Sequence, residues 1–274
     1  LNPSSAASDV YKRQHLPLYV SEDPVLKRCL SLAENALIHR LPVLVEGQRG
    51  SGKRTTAIEL GKRVFPSKPS IEIDCSHLTD NNFETVFFGS LGKPAFFDEA
   101  LPAQPLGKLS LVQGGLIIFK NIDALSKIIQ CEISKLIELY LHSNEDFTLR
   151  PIGGFVFTCT QPMEVLKSGN NISEIFLESL IGAHLQLPNL DMRTDFEKIT
   201  KELLAQVSPK HHISKNALDT LCSRDWPGHL GQLKKVLRVL VSTSDAHVIR
   251  NASIQHDQKS VSYTHLRAHE TRIH

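Results

Sequence analysis

Residues Gly47-Gln48-Arg49-Gly50-Ser51-Gly52-Lys53 have the types and spacing to hold phosphate. Glycines let successive backbone N–H groups converge on anion oxygens with no Cβ in the way. A helix starting directly after such a turn adds the positive end of its dipole. Lys53 adds a point charge that can reach the outer phosphates of a nucleoside triphosphate. The strict pattern asks for Ser or Thr next; here Arg54 follows, and Thr55 comes one place later. The candidate phosphate-binding residues are therefore Gly47, Gln48, Arg49, Gly50, Ser51, Gly52, Lys53, Arg54 and Thr55.

Hydrolysis asks for more than a cradle. It needs magnesium held by an acidic residue and a polar group that orients the attacking water, usually at the end of a second buried strand. Residues 114–119, Gly-Gly-Leu-Ile-Ile-Phe, read as that strand, but it ends in Lys120 and Asn121. A lysine cannot bind a cation, and an asparagine cannot take a proton as a carboxylate can. Asp123 lies past the strand end and would need a shift of register to serve. The expectation is a site that holds ATP or ADP without hydrolysing it, with magnesium doubtful and no catalytic or metal-binding residue assigned. Lys120 itself has two readings: an ammonium near the place of the missing metal, or a side chain pointing to solvent.

The elements that would position these residues follow from periodicity. Val25, Leu26, Cys29, Leu30, Ala33, Ala36 and Leu37 predict a helix over 24–38. The apolar run 43–45 predicts a buried strand, and a helix over 55–64 stops before Pro66. Short strands are expected at 71–74, 116–119, 155–159 and 183–187, with helices at 125–140 and 172–181 between them. The stretch 89–110 holds glycine and proline without clear periodicity and reads as a loop or hairpin insertion. From 194 onward only helical periods are legible: Phe196, Ile199 and Leu203; Leu218 and Leu221; Leu230, Leu233, Leu237 and Leu240. Alternating strands and helices followed by helices alone imply an α/β domain with a parallel sheet and a smaller helical domain, joined near 188–194.

Composition sets outer bounds. The chain has 274 residues, 41% hydrophobic and 22% charged, with a net charge of +2. That is the balance of a globular protein with a real core, and nothing global demands nucleic acid or a membrane surface. No apolar run approaches the roughly 20 residues needed to span a bilayer. The five cysteines, at 29, 75, 131, 159 and 222, form no Cys-x-x-Cys pair, which fits reduced thiols in the cytoplasm better than a disulfide framework or a zinc site. Both ends contain text resembling translated adaptor sequence: 1–14 and 262–274 are set apart from the fold argument, 251–274 as a whole reads as a tail that is largely artefact, and the natural protein is expected to continue past both ends.

Several motifs then converge. Leu-Pro-Val-Leu-Val-Glu-Gly-Gln-Arg-Gly-Ser-Gly-Lys (41–53), Phe-Phe-Gly (87–89), Gly-Gly-Leu-Ile-Ile-Phe (114–119), Leu-Gln-Leu-Pro-Asn-Leu (185–190) and Asp-Trp-Pro-Gly-His-Leu-Gly-Gln-Leu (225–233) resemble the AAA+ domain of bacterial enhancer-binding transcription regulators that work with sigma-54, the acetoin-catabolism regulator group in particular. The resemblance implies a P-loop AAA+ three-layer α/β domain over 15–190 and a small helical lid over 191–250. It also removes the objection to Arg54, because the family carries a non-hydroxyl residue after the loop lysine.

The same resemblance makes the departures informative. The family's acidic pair falls on Lys120 and Asn121, its arginine fingers on Ser173 and Ser179, its first sensor on Thr160 and its second-sensor arginine on Gly231. The asparagine that switches the catalytic glutamate falls on Asp74. The sigma-contacting loop falls on Pro94-Ala-Phe-Phe-Asp-Glu99, which keeps only Ala95 and Phe96. The implied function is a degenerate ATPase module of a bacterial, cytoplasmic transcription regulator. Its implied partners are a ring-type homo-oligomer, the transcription machinery, and DNA only through a helix-turn-helix outside this chain, with no membrane. An active ATPase recruiting Asp98, Glu99 or Asp123, and an empty oligomerisation scaffold, are the alternatives. Among the remaining candidates, His211-His212 reads as surface loop before Ser214, a helix cap, and Trp226 as packing in the helical domain. Lys234, Lys235 and Arg238 read as a solvated basic face.

Overall fold

A computed structural model describes residues 23–89, 107–142, 152–180, 182–244 and 247–250. The chain divides into two units, with the α/β unit ending at Pro188 and the helical unit beginning at Asn189.

The α/β unit is built on five parallel strands: β1 (Val43–Glu46), β2 (Ser70–Asp74), β3 (Gly115–Lys120), β4 (Ile152–Cys159) and β5 (Ala183–Gln186). Their order across the sheet is β2-β3-β4-β1-β5. β1 is buried along its whole length, and β3 and β4 nearly so, which is why they read as continuous apolar runs and not as alternating ones. The outer strands β2 and β5 are only partly buried.

Helices cover both faces. On one face lie α1 (Pro24–Ile38) and α2 (Lys53–Val64). α1 begins on a proline, whose fixed φ suits the first helical position, and buries Leu26, Leu30, Ala33, Ala36 and Leu37 along one stripe. α2 comes so close to β3 that a Cβ on Gly61 would sit 3.1 Å from the Leu116 side chain. The opposite face holds α3 (Phe83–Phe88), α4 (Lys127–His142), α5 (Met163–Ser168) and α6 (Glu174–Ser179). Here Ile117, Phe119, Phe155 and Phe157 of the sheet join Ile129, Ile133, Leu136, Ile137 and Tyr140 of α4 in one core. Phe119 and Phe157 stack with ring centroids 5.2 Å apart, and Tyr140 meets Phe155 edge-on at 5.0 Å.

The helical unit contains α7 (Phe196–Val207), α8 (Lys215–Cys222) and α9 (His229–Thr243). Its core gathers Phe196, Ile199, Leu203, Leu221, Trp226, Leu233, Leu237 and Leu240. Trp226 is buried and donates its indole N–H to the Leu221 carbonyl, so it is a packing residue as expected. Ser214 caps α8 by accepting the Ala217 N–H. His229 sits at a positive φ of 47°, a conformation that histidine enters more readily than most residues, and its Nδ1 accepts the Leu190 N–H.

Two features depart from the sequence expectations, and one stretch falls outside the comparison. The region after 194 is not purely helical, because β6 (His212–Ile213) pairs in parallel with β7 (Val248–Ile249). Two residues per strand are too few to show a period of two. α3 and α5 were not foreseen, since six residues are too short for a helical repeat to declare itself. Residues 90–106, including Asp98 and Glu99 and the text aligned with the sigma-contacting loop, lie outside the described residues.

Candidate functional site

The phosphate loop links β1 to α2, directly below the C-terminal ends of the parallel strands, where ligands of such sheets bind. Gly47 N–H donates to the Cys159 carbonyl at 3.3 Å, so the loop is pinned to β4 at its first residue. Gly47 has no room for a side chain: a Cβ there would stand 2.6 Å from Ser51 Oγ and 3.2 Å from the Leu187 Cβ. Gly52 takes φ 103°, ψ 11°, a left-handed geometry that aims the chain into α2. α2 starts at Lys53 itself, two residues before the periodicity suggested, and its first turn carries no acidic residue to neutralise the dipole.

Lys53 folds back over its own loop. Its Nζ donates to the Gly47 carbonyl at 2.5 Å and the Gln48 carbonyl at 3.0 Å. Burial pushes its ammonium below the usual lysine range, while Cys159 and Asp123 act the other way. Ser51 Oγ is buried without a hydrogen-bond partner among the described residues. Gly47, Gln48, Ser51, Gly52 and Lys53 thus form one cradle.

Arg54 is placed differently. It turns from the loop toward β2 and forms a two-pronged ion pair with Glu72, Nε to Oε2 at 2.7 Å and Nη2 to Oε1 at 2.5 Å. That pair engages its guanidinium with β2. No described contact brings Arg49 or Thr55 into the cradle.

The strand-end residues form a second cluster. Lys120 Nζ stands 3.3 Å from Asp74 Oδ2 and 3.5 Å from Glu72 Oε2. Asn121 donates its side-chain amide to Asp74 Oδ1 at 3.0 Å. The reading of Lys120 as a side chain pointing freely to solvent is corrected, because its ammonium is tied to β2 through Asp74 and Glu72. Burial acts to raise the Asp74 carboxyl, but hydrogen bonds from Ser76 and Asn121, with Lys120 beside it, outweigh this and hold it far below the ordinary carboxylate range. Glu72 is likewise depressed, burial being outweighed by Arg54 and Lys120. Two carboxylates and two fixed cations are thus mutually satisfied.

Past the strand, the chain turns sharply. Asn121 adopts φ 59°, ψ 52°, the left-handed region in which asparagine is at home, and a short 3-10 turn follows over Ile122–Ala124. That turn packs against the end of β4, the strand whose Cys159 carbonyl holds Gly47. It brings Asp123 within electrostatic reach of Lys53. Asp123 Oδ1 is buried and has no hydrogen-bond partner among the described residues. The sequence reading discounted Asp123 because no linear pattern can show a left-handed reversal two residues earlier.

Glu46 was missed altogether. It is buried at the last position of β1, next to Gly47. Its carboxylate accepts the Met163 N–H at 3.0 Å and the Gln186 side-chain amide at 3.0 Å, and pairs with His184 Nε2 at 3.0 Å. The available signal was a lone acid closing an apolar run.

The other aligned positions have local duties. Ser173 caps α6, accepting the Phe176 N–H at 3.3 Å, while its own N–H donates to buried Gln130. Ser179 Oγ donates to the Phe176 carbonyl. Arg193, an arginine near enough in sequence to stand in for a missing one, is buried in a two-pronged pair with Asp195, both contacts at 2.9 Å. Its charge is spent inside the helical unit. No group of three or more potential metal ligands occurs among the described residues, and no described helix is long and apolar enough to cross a membrane.

Residues 19–144 match the family described as the Sigma-54 interaction domain. Transcriptional regulatory protein GlrR of Escherichia coli (strain K12) is 24% identical over 267 residues, covering 93% of this chain and 58% of that protein. The Acetoin catabolism regulatory protein of Cupriavidus necator is 25% identical over 228 residues, covering 78% of this chain and 33% of that protein. The chain therefore spans between a third and three fifths of these relatives. Among solved structures, NtrX from Brucella abortus in complex with ATP aligns with a TM-score of 0.67 at 16% identity, over 98% of this chain and 66% of that one. The Thermotoga maritima RuvB Holliday junction branch migration motor aligns with a TM-score of 0.57 at 16% identity, over 88% of this chain and 70% of that one.

Proposed function

We propose a function for a chain whose residues 19–144 are a Sigma-54 interaction domain and whose α/β unit has the AAA+ fold: it is a regulatory nucleotide-binding module that holds ATP or ADP and does not hydrolyse it. The cradle from Gly47 to Lys53 supports binding, and NtrX, a neighbour of the same fold, was solved in complex with ATP and with ADP. One observation carries the absence of turnover. The strand-end positions that hydrolysis needs as carboxylates are Lys120 and Asn121, and both are engaged with Asp74.

The serines at the aligned finger positions support the same reading, because each is committed to capping α6 or closing its last turn. In GTPases an arginine supplied in trans is worth about 10³–10⁵ in rate. Losing it together with the water-orienting acid that falls on Asn121 leaves negligible turnover, even allowing for non-additivity. The whole protein on this reading is a bacterial, cytoplasmic transcription regulator that assembles as a ring-type homo-oligomer. It engages the transcription machinery, and it contacts DNA through a helix-turn-helix outside this chain. Remodelling of sigma-54 complexes is not expected, because Phe97 stands where the contacting loop has threonine.

The test is a calorimetric titration with ATP and with ADP, beside Lys53→Ala. Saturable binding of either nucleotide by the natural sequence, lost in the variant, is the expected result. Absence of binding in both would favour an oligomerisation scaffold and overturn the proposal.

A further inference from the structure

Magnesium chemistry places a narrow demand on a protein. The ion keeps several waters and is usually held by one or two carboxylates together with the phosphates it accompanies. A dedicated cage of side chains is not required, so the lack of a three-ligand cluster among the described residues is no obstacle. A single carboxylate oxygen near the phosphate loop, not already neutralised by a fixed cation, is sufficient.

The carboxylates at the strand ends do not qualify. Glu72 is neutralised by Arg54 and Lys120, and Asp74 by Lys120 with hydrogen bonds from Ser76 and Asn121. Glu46 is buried and satisfied by Met163, His184 and Gln186. Asp123 differs from all three. Its Oδ1 is buried, yet no donor among the described residues reaches it. A buried polar atom without a partner is costly, and native structures seldom keep one without a reason. The turn that carries it follows the left-handed Asn121 and packs on β4, whose terminal carbonyl pins the phosphate loop.

We propose that Asp123 holds a divalent cation of the magnesium class against the phosphates of the bound nucleotide, in place of the strand-end acid that became Lys120. This rests on the reading of Gly47–Lys53 as a nucleotide site. In this account Lys53 and the cation share the phosphate charge. The missing water-orienting and finger groups still leave the nucleotide intact. Magnesium dependence of binding and absence of turnover then coexist in one site.

The experiment titrates a fluorescent ATP analogue into the full chain, in EDTA and in magnesium, for the natural sequence, Asp123→Asn and Asp123→Ala. Outer-sphere partners of metal ligands are worth about 10–100-fold in metal affinity, and a direct ligand at least as much. Magnesium is expected to tighten binding about tenfold or more in the natural sequence and to have no effect in either variant. In EDTA both variants should still bind, at least as tightly as the natural sequence, because without the cation the carboxylate only repels the phosphates. Because Oδ1 has no hydrogen-bond partner among the described residues, its replacement orphans no other group, and saturable binding retained in EDTA certifies the fold. Manganese in place of magnesium gives a second readout: its bound paramagnetic signal in the presence of ATP should vanish in both variants. A full magnesium effect in the variants overturns the proposal. Equal affinity in EDTA and magnesium for the natural sequence also overturns it, while leaving nucleotide binding intact. No binding under any condition overturns both.

Discussion

Lys120 changes the meaning of its whole neighbourhood. A lysine at the end of a buried strand has to find negative charge, and this one finds two carboxylates on β2. The cost of desolvating the ammonium is offset by those pairs, which remain partly exposed to water. Asp74 and Glu72 both titrate below their ordinary values of 3.8 and 4.5. A depressed carboxylate contributes stability that is complete above its unfolded pKa and is lost as pH falls through its folded pKa. Lys120→Ala returns both groups toward their ordinary values. Acid unfolding followed by circular dichroism should therefore have its midpoint at higher pH in the variant, and an unchanged midpoint would show that Lys120 is not the stabilising partner. Burial also pushes the Cys159 thiol up to about 12, so this cysteine beside the loop stays protonated and inert. At this scale the cradle was legible, because glycine spacing and Lys53 depend only on local sequence. The partners of Arg54 and Lys120 were not, because Glu72 and Asp74 reach them through strand pairing.

Among elements, β1 and the loop after it carry most of the positional information. Glu46 ties β1 to β5 through His184 and Gln186 and to α5 through the Met163 N–H. Glu46→Ala removes all three bonds; His184 and Gln186 are exposed and can return to water, so the loss centres on the Met163 N–H, at roughly 1–3 kcal/mol. Urea unfolding should report a loss of at least that size, with weaker nucleotide binding because Gly47 is the next residue. A variant as stable as the natural chain would reduce Glu46 to a bystander. Gly52→Ala tests the other end of the loop. Holding alanine at φ 103° costs about 1–2 kcal/mol on the scale of left-handed strain, and relaxing it misdirects the α2 N-terminus. Nucleotide affinity should fall even where the melting temperature changes little. Core strands were readable from their apolar runs, and α1 and α4 from their 3.6-residue stripes. The short helices α3 and α5 and the β6–β7 pair were not, since each is fixed by what it packs against and not by its own period.

For the whole molecule, the division at Pro188–Asn189 leaves a core on each side of it, among the described residues one that includes Phe119 and Phe157 and one around Trp226. The joint was legible because the rhythm of strands and helices stops there. Trp226 is the only tryptophan, so its emission reports the helical unit alone. Phe119→Ala removes a fully buried ring from the α/β core, a change worth about 3–5 kcal/mol. Circular dichroism should show earlier unfolding of the α/β unit while the tryptophan transition stays where it was. A tryptophan transition shifted by the same amount would mean that the two cores melt as one. Two relatives, GlrR and the acetoin regulator, extend well beyond this chain, and DNA contact belongs outside this chain in the proposal made above.

The central claim is that this AAA+ unit retains the nucleotide cradle and has lost the hydrolytic cycle. The direct measurement is phosphate release from ATP by the full chain in magnesium, at a protein concentration well above the affinity found by titration, beside Lys53→Ala. The account predicts bound ATP recovered intact and a release rate indistinguishable from that of the variant. Release that exceeds the variant's and saturates with ATP would contradict it.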